Sequence, residues 1–192
     1  MTIDQEAARE VRAAEPPGAT ESPGVGESLP WLELDQRVDD VAALLLDRLD
    51  PGQRVAILAG QGLEFAVSFL GALRAGVIAV PLFAPGLPRH AGRLRAVLAD
   101  CRPALVLTTR AELDPVCQIV GPYQAVVVIE DIPAGASPRR PVLDPGSVAY
   151  LQYTFGSPHA PSGVTVTRAD AAADADAAAD AAVVAALAGE LA

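Results

Sequence analysis

From residue 31 onward, apolar side chains recur first at helical spacing and then in short runs. The helical set is Leu34, Val38, Val41, Leu45 and Leu49, with aspartates between its members. This spacing of three and four residues predicts an amphipathic helix over residues 31–49, and Pro51-Gly52 ends it.

The following segments alternate between strand-like and helical patterns. Residues 54–59 form a short apolar run, residues 63–73 carry apolar side chains at helical spacing before Gly76, and residues 77–83 form a second apolar run. A strand, a helix and a strand in this order form a βαβ unit. Its two strands are expected to be parallel, with a right-handed crossover.

The alternation then repeats further along the chain. Residues 89–100 have a helical pattern, residues 103–108 and 126–129 are buried strand patterns, and residues 133–147 are a proline-rich connector. Residues 148–153 form a last short strand that leads into a loop with glycines. The periodicity therefore predicts an α/β domain.

Both ends of the chain differ from this body. The segment AAEPPGATESPGVGESLP at residues 13–30 lacks apolar periodicity, so we expect residues 1–29 to form a disordered acidic tail ahead of a domain at 30–168. Residues 169–192 include fourteen alanines and predict a helix with a stripe of Val183, Val184, Leu187 and Leu191. This helix is either a docking helix or a solvated low-complexity end that packs only through its last turn.

The charge of −10 lies mainly in these ends. Residues 1–30 hold six acids and two arginines, residues 31–168 hold thirteen acids and twelve arginines, and residues 169–192 hold five acids. A nearly neutral body gives no electrostatic footprint for nucleic acid or for an anionic membrane. All 14 positive charges are arginines, which excludes a lysine as phosphate ligand or Schiff base in this chain.

Other features bear on location and metals. The opening MTIDQEAARE does not fit a secretory signal, and no apolar stretch is long enough to span a membrane. The histidines and cysteines, His90, Cys101, Cys117 and His159, have no metal-ligand spacing, so we predict no metal ligands. Two cysteines are also too few for a disulfide framework, and we expect a reduced, cytoplasmic setting.

A first loop with glycines, Gly60-Gln61-Gly62, lies between a predicted strand and a predicted helix. A dinucleotide-binding fingerprint occurs at such a place, and its first two glycines have this spacing. Phe65 occupies the position of the third glycine, and the following strand ends without an acid for the ribose. A dinucleotide site is therefore the weaker interpretation of this loop.

A second loop, LQYTFGSPHAPSGV at residues 151–164, leaves a strand and returns to a β-branched run. Its backbone N–H groups can surround a phosphate, and Thr154 and Ser157 add hydroxyl donors. The glycine spacing and the missing lysine distinguish it from the common P-loop. From the residues alone, an anion-binding loop and an ordinary turn both remain open.

Residues 28–168 as a whole resemble the first part of an adenylate-forming enzyme. The loop is similar to the superfamily signature Y-T-S-G-S-T-G-x-P-K-G-V. Upstream of the loop, the chain contains QGLEFAVSFLGALRAGVIAVPLFAP and then RLRAVLADCRPALVLTT, in the family's order and spacing. Within the superfamily the loop resembles that of fatty acyl-AMP ligases, LQYTSGSTRxPAGV. The resemblance implies a partial N-terminal subdomain, with a mostly parallel sheet and helices on both faces.

The resemblance also implies a reaction. In this family ATP, with magnesium, activates a fatty acid to an acyl-adenylate and pyrophosphate, and the acyl group passes to the thiol of an acyl carrier protein. Thr154, Gly156, Ser157 and Gly163 match positions that hold the ATP phosphates. No residue of this chain matches a catalytic residue or a metal ligand of the family.

Four loop positions depart from the family pattern. Phe155 and Pro158 replace hydroxyl residues, His159 replaces glycine or arginine, and Ser162 occupies a variable position. Pro158 also removes one backbone N–H from the loop.

Three hypotheses follow. The first is a truncated fatty acyl-AMP ligase-like protein that is inactive alone, because the family's adenine, ribose, magnesium and catalytic-lysine motifs come later in the chain. The second is a non-catalytic interaction or regulatory module that docks a full-length ligase, a carrier protein or a second copy of itself. The third is the product of a decayed gene, suggested by the alanine and aspartate runs beyond Asp170.

Overall fold

The computed structural model describes residues 10–12, 28–83, 91–153 and 163–177. Within these ranges the strands are β1 (Glu10–Arg12), β2 (Ser28–Pro30), β3 (Arg54–Leu58), β4 (Ile78–Leu82), β5 (Leu105–Thr108), β6 (Val126–Val128), β7 (Val148–Tyr153) and β8 (Gly163–Thr167). The helices are α1 (Trp31–Arg48), α2 (Leu63–Ala75), α3 (Ala91–Cys101), α4 (Leu113–Val120) and α5 (Arg168–Ala177). Short 3₁₀ turns follow β5 and β6, at Arg110–Glu112 and Ile129–Asp131.

Six strands form the central sheet, in the order β6-β5-β3-β4-β7-β8. The first five are parallel, and β8 is antiparallel to β7. Leu58 is the register partner of both Leu82 and Thr108, so β3, β4 and β5 end at one level. We call this level, where the parallel strands end and their loops begin, the carboxyl edge.

The two faces of the sheet bury separate cores. Val55 and Ile57 of β3 pack in a core with α1 and α2, whereas Ala56 and Leu58 pack in another with α3 and α4. The alternation arises because successive side chains of a strand point to opposite faces. The predicted α/β class, with a mostly parallel sheet and helices on both faces, is confirmed.

Helices α1 and α2 pack against each other with little clearance. A Cβ atom built on Gly71 of α2 would lie 2.6 Å from Cγ1 of Val41 and 3.3 Å from the carbonyl oxygen of Val38 in α1. Beside this contact, Arg74 donates to the carboxylates of Asp35 (2.6 Å) and Asp39 (2.8 Å). Glycine at position 71 therefore sets the distance between the two helices.

The structure contains one helix that the sequence analysis did not predict. It is α4, whose eight residues begin with Leu-Asp-Pro and include one fully buried side chain, Val116. Proline is tolerated there because it lies in the first turn, where its missing N–H has no helical partner. The predicted helix at 89–100 appears as α3 at Ala91–Cys101, and residues 84–90 lie outside the described ranges.

The ends of the chain are described only in part. At the described positions 10–12 and 28–30, β1 and β2 pair in an antiparallel ladder, with Val11 opposite Leu29. This pairing uses backbone groups, which an apolar pattern does not reveal. Residues 1–9, 13–27 and 178–192, with the apolar stripe at 183–191, lie outside the described residues, and the three-region division stays a prediction.

Candidate phosphate-loop site

The predicted phosphate loop joins β7 to β8. Tyr153, the last residue of β7, is the register partner of Gly163, the first residue of β8, so the loop leaves and returns on one rung of the ladder. Thr154, Gly156 and Ser157 lie outside the described residues. Gly163 is described, and its position shows that the loop departs from the carboxyl edge of the parallel sheet.

Gly163 lies directly against the ring of Tyr153. A Cβ atom at position 163 would lie 2.8 Å from Cζ and 3.1 Å from Cε2 of that ring. Cβ atoms in real proteins essentially never approach another heavy atom so closely. Only glycine fits at position 163 while the ring stays in place.

The hydroxyl of Tyr153 donates a hydrogen bond of 2.5 Å to Oδ2 of Asp100, near the end of α3. Tyr153 is only 3% exposed. Burial, and next the hydrogen bond to Asp100, raise the pKa of the Tyr153 phenol well above its usual value of 10.0. The phenol therefore remains neutral and donates across the ordinary pH range.

Sequence reasoning did not find this pair, because Tyr153 and Asp100 are 53 residues apart. The available signal was a tyrosine at the end of a predicted buried strand. A buried tyrosine hydroxyl needs a hydrogen-bond partner, but only the fold shows which residue supplies it.

The other loop with glycines lies at the same edge, between β3 and α2. The first turn of α2 carries Glu64, whose carboxylate is paired with Arg37 of α1 at 3.1 Å. A carboxylate at a helix N-terminus satisfies the positive end of the dipole that a bound pyrophosphate would otherwise use. This arrangement disfavours a dinucleotide site at Gly60-Gln61-Gly62.

Loops after β5 and β6 are joined at the carboxyl edge. The backbone N–H of Arg110 donates to the carboxylate of Glu130 (3.0 and 3.1 Å), and the Arg110 guanidinium is paired with Asp131. At the end of β5 the buried hydroxyl of Thr108 donates to the carbonyl oxygen of Leu58, at 2.8 Å. These bonds hold neighbouring loops together around the strand ends.

A cleft of about 310 Å³ lies between α1, Val67 of α2 and the segment after β6. Asp40 on its wall accepts hydrogen bonds from the backbone N–H of Ala136 (2.7 Å) and the side-chain amide of Gln36 (3.1 Å). Gln36 in turn donates to the carbonyl oxygen of Ala136, at 2.8 Å. Asp40 and Gln36 thus both bind the backbone of Ala136, which indicates a structural role for this wall in holding the connector at residues 133–147.

The described residues contain neither a candidate metal cluster nor a helix that could span a membrane. Within them, no group of three or more histidine, cysteine or acidic side chains could hold a metal ion, so no magnesium ligand is assigned there. No helix in the described ranges is long and apolar enough to cross a membrane.

Comparison with known proteins places this sheet and loop in a family. The profile of the AMP-binding enzyme family matches residues 9–188. This chain therefore belongs to the AMP-binding enzyme family, as its resemblance to adenylate-forming enzymes predicted.

Several curated relatives carry the names of acyl-adenylating enzymes. The chain is 40% identical over 156 residues to the long-chain-fatty-acid–AMP ligase FadD32 of Mycobacterium marinum, covering 78% of this chain and 25% of the relative. It is 39% identical over 160 residues to the 4-hydroxyphenylalkanoate adenylyltransferase of Mycobacterium tuberculosis, covering 77% and 26%. The chain thus spans about a quarter of the length of these relatives.

Solved structures agree with this result. A fatty acyl-adenylate ligase from L. pneumophila, in complex with acyl adenylate and pyrophosphate, matches with a TM-score of 0.67 and 25% identity, over 81% of this chain and 28% of that one. A second match, from studies of fatty acyl-adenylate ligases from E. coli and L. pneumophila, has a TM-score of 0.64 and 34% identity, over 77% and 27%. The predicted resemblance to the N-terminal portion of fatty acyl-AMP ligases is confirmed.

Proposed function

We propose that this chain is the phosphate-loop portion of a fatty acyl-AMP ligase-type enzyme, and that alone it does not complete the reaction. The family reaction would be ATP-dependent activation of a fatty acid to an acyl-adenylate, for lipid or polyketide biosynthesis. An acyl carrier protein would accept the acyl group. A cytoplasmic location, where ATP is available and thiols stay reduced, belongs to the same proposal.

One observation carries the proposal: the loop at 154–162 departs from the carboxyl ends of parallel strands and returns to the same rung. Ligands of open α/β sheets bind outside the carboxyl ends of the strands. We assign Thr154, Gly156, Ser157 and Gly163 to the ATP phosphates, with backbone N–H groups and hydroxyls as donors.

The donor set fits a nucleotide only in part. ATP, when bound with magnesium, supplies the adenylyl group and the leaving pyrophosphate. Two described arginines at this edge are each paired with an acid: Arg37 with Glu64, at the start of α2, and Arg110, in the turn after β5, with Asp131. With no lysine in the sequence and an N–H lost at Pro158, charge on a bound phosphate would be stabilised mainly by neutral donors.

A pyrophosphate-release assay tests the claim of inactivity. The purified chain is incubated with ATP, magnesium and fatty acids of several lengths, beside a heat-inactivated control. We expect release equal to the control for every acid. Release clearly above the control would refute the claim that the chain cannot act alone.

A chimera tests the loop itself. Residues 28–168 replace the matching segment of the M. marinum FadD32, to which the chain is 40% identical over 156 residues. A matched chimera carries Phe155→Ser, Pro158→Thr and His159→Arg, which return the loop to the fatty acyl-AMP ligase pattern. We expect the restored chimera to adenylate at least a hundredfold faster, since one lost oxyanion-type donor costs about 10²–10³ in rate. Equal rates in two folded chimeras would contradict the assignment of phosphate binding to this loop.

A second candidate is a non-catalytic interaction module. It is favoured by β8, which has one neighbour in the described sheet and carries Val164 with 54% exposure. An open strand edge is a template for pairing with another chain, such as a full-length ligase, a carrier protein or a second copy. Light scattering tests this role by measuring the mass of the chain alone and mixed with a full-length ligase or a carrier protein. A chain that is strictly monomeric alone and forms no complex in either mixture would argue against this role.

A further inference from the structure

We propose that Tyr153 is a positioning residue. It anchors the Tyr153–Gly163 rung, from which the phosphate loop departs, to the end of helix α3. The inference rests on the proposed function, because it concerns the same loop. It adds a residue pair, Tyr153 and Asp100, that matches no phosphate-contacting position of the loop pattern.

The first step is the contact between the two ends of the loop. Tyr153 and Gly163 face each other on the ladder, and the space that a side chain at 163 would occupy is filled by the Tyr153 ring. The ring thereby sets how closely β8 approaches the end of β7. Any movement of the ring changes the position at which the chain re-enters the sheet.

The second step is the fixation of the ring. Its hydroxyl is held by Asp100, and the next residue, Cys101, is buried in the same core as Tyr153. That core also contains Leu94 and Val97, so α3 is packed against the sheet over its length. A charge-assisted hydrogen bond to a packed helix restricts the ring far more than a bond to solvent does.

The third step links this contact to phosphate binding. Backbone donors stabilise a developing charge only when they are held in place before the reaction. A loop whose two ends share one fixed rung has fewer conformations to lose on binding. A tyrosine phenol is neutral at physiological pH, and burial and the hydrogen bond to Asp100 raise the pKa of Tyr153 further, so its hydroxyl keeps the proton that it donates to Asp100.

Hydrogen exchange on the full chain tests the proposal without requiring activity. Tyr153→Phe keeps the ring and removes the hydroxyl, whereas Tyr123→Phe makes the same chemical change at a fully exposed tyrosine. We expect exchange in the peptide 151–166 to rise about tenfold in Tyr153→Phe, with α1 and α2 unchanged. A tenfold rise corresponds to a loss of about 1.4 kcal/mol, which is the size expected when a hydrogen bond to a charged group is removed. Tyr123→Phe is expected to leave the peptide unchanged.

Two further variants keep the test decisive if Tyr153→Phe does not fold. Asp100→Asn keeps an acceptor but removes the charge, so a smaller rise is expected in the same peptide. Gly163→Ala keeps both Tyr153 and Asp100 but displaces the Tyr153 ring, and it should raise exchange in the peptide 151–166. Gly60→Ala, whose Cβ would meet nothing within 4 Å, is its matched control.

A spectroscopic signature accompanies these measurements. The absorbance of the Tyr153 phenolate, obtained as the difference between the wild-type chain and Tyr153→Phe, should develop at higher pH than that of free tyrosine. In Asp100→Asn it should develop at lower pH than in the wild-type chain. A purely packing role for the tyrosine would not produce this dependence on Asp100.

The outcomes separate this inference from the proposed function. Unchanged exchange at 151–166, or a rise of equal size in all peptides, would overturn the positioning role. The pair of chimeras with the native and the restored loop tests the function separately. If the two folded chimeras adenylate at equal rates while exchange responds as expected, the loop assignment fails and the positioning of the rung stands.

Discussion

Replacing Gly71 with alanine tests the packing of α1 on α2. The new Cβ would lie 2.6 Å from Cγ1 and 2.7 Å from Cβ of Val41, whereas carbon atoms in contact are about 3.5–4.0 Å apart. The helices must therefore move apart by roughly 1 Å. Because one of the atoms is a Cβ and a backbone oxygen lies at 3.3 Å, no simple rotation of a side chain relieves the contact.

The magnitude follows from two opposing contributions. Overpacking a core costs about 1–3 kcal/mol, and the contact with a Cβ places this case near the upper end. Alanine in a helix interior is about 1 kcal/mol more favourable than glycine. We expect Gly71→Ala to lower the free energy of unfolding by about 2 kcal/mol, which shifts a urea midpoint by about 1 M.

Urea unfolding followed by circular dichroism measures the effect. Gly92→Ala in α3 is the control, because its Cβ would meet nothing within 4 Å, and we expect no loss of stability. In the double variant with Val41→Ala, room for the new methyl group should make the loss smaller than the sum of the two single losses. A Gly71→Ala variant as stable as the wild-type chain, or an additive double variant, would refute the reasoning.

Three further predictions concern charge and thiols. Arg74→Ala should lower the free energy of unfolding by about 1 kcal/mol at low salt and by less in 0.5 M NaCl, because ion pairs with Asp35 and Asp39 are lost; an equal loss at both salt concentrations would contradict an ionic contribution. A thiol-reactive dye should label Cys117 quickly and Cys101 only after denaturation, since only the first is exposed; two fast thiols, or none, would be inconsistent with α3 and α4 as described. Burial, and next the negative charge of Asp100, raises the pKa of the Cys101 thiol from 9.0 to about 11. The protonated Cys101 thiol therefore contributes fully to the free energy of unfolding below pH 9, and this contribution is lost as the pH rises to 11. Urea unfolding at pH 8 and at pH 11 should show this loss in the wild-type chain and a smaller one in Cys101→Ala, and equal losses would contradict the shift.

Much of the fold could be predicted because the central strands β3, β4 and β5 are buried on both faces. Such strands are continuous apolar runs, and β3, β4 and β5 lie where residues 54–59, 77–83 and 103–108 placed them. The helix α4 was missed because eight residues with an internal proline give too short a periodic signal. The strand pair β1–β2 was missed because backbone pairing leaves no mark on an apolar pattern.

The candidate site, like the fold, could be predicted from the sequence only in part. Its place in the sequence could be predicted from the glycines, the hydroxyls and the family resemblance. The contact that fixes Gly163 could not, because it depends on the register of β7 and β8 and on a carboxylate from α3. Sequence pattern shows which residues follow a strand, whereas the register decides which of them meet.

The shared rung at Tyr153 and Gly163 also bears on how such a chain can change over evolutionary time. Tyr153 and Gly163 are joined to the fold by the ladder between β7 and β8 and, through Asp100, by α3. A side chain at position 163 would meet the buried Tyr153 ring, so a change there disturbs the packing of the domain as well as the loop. Selection for a stable fold alone would therefore retain this glycine and this tyrosine, even in a relative that no longer needs the nucleotide chemistry.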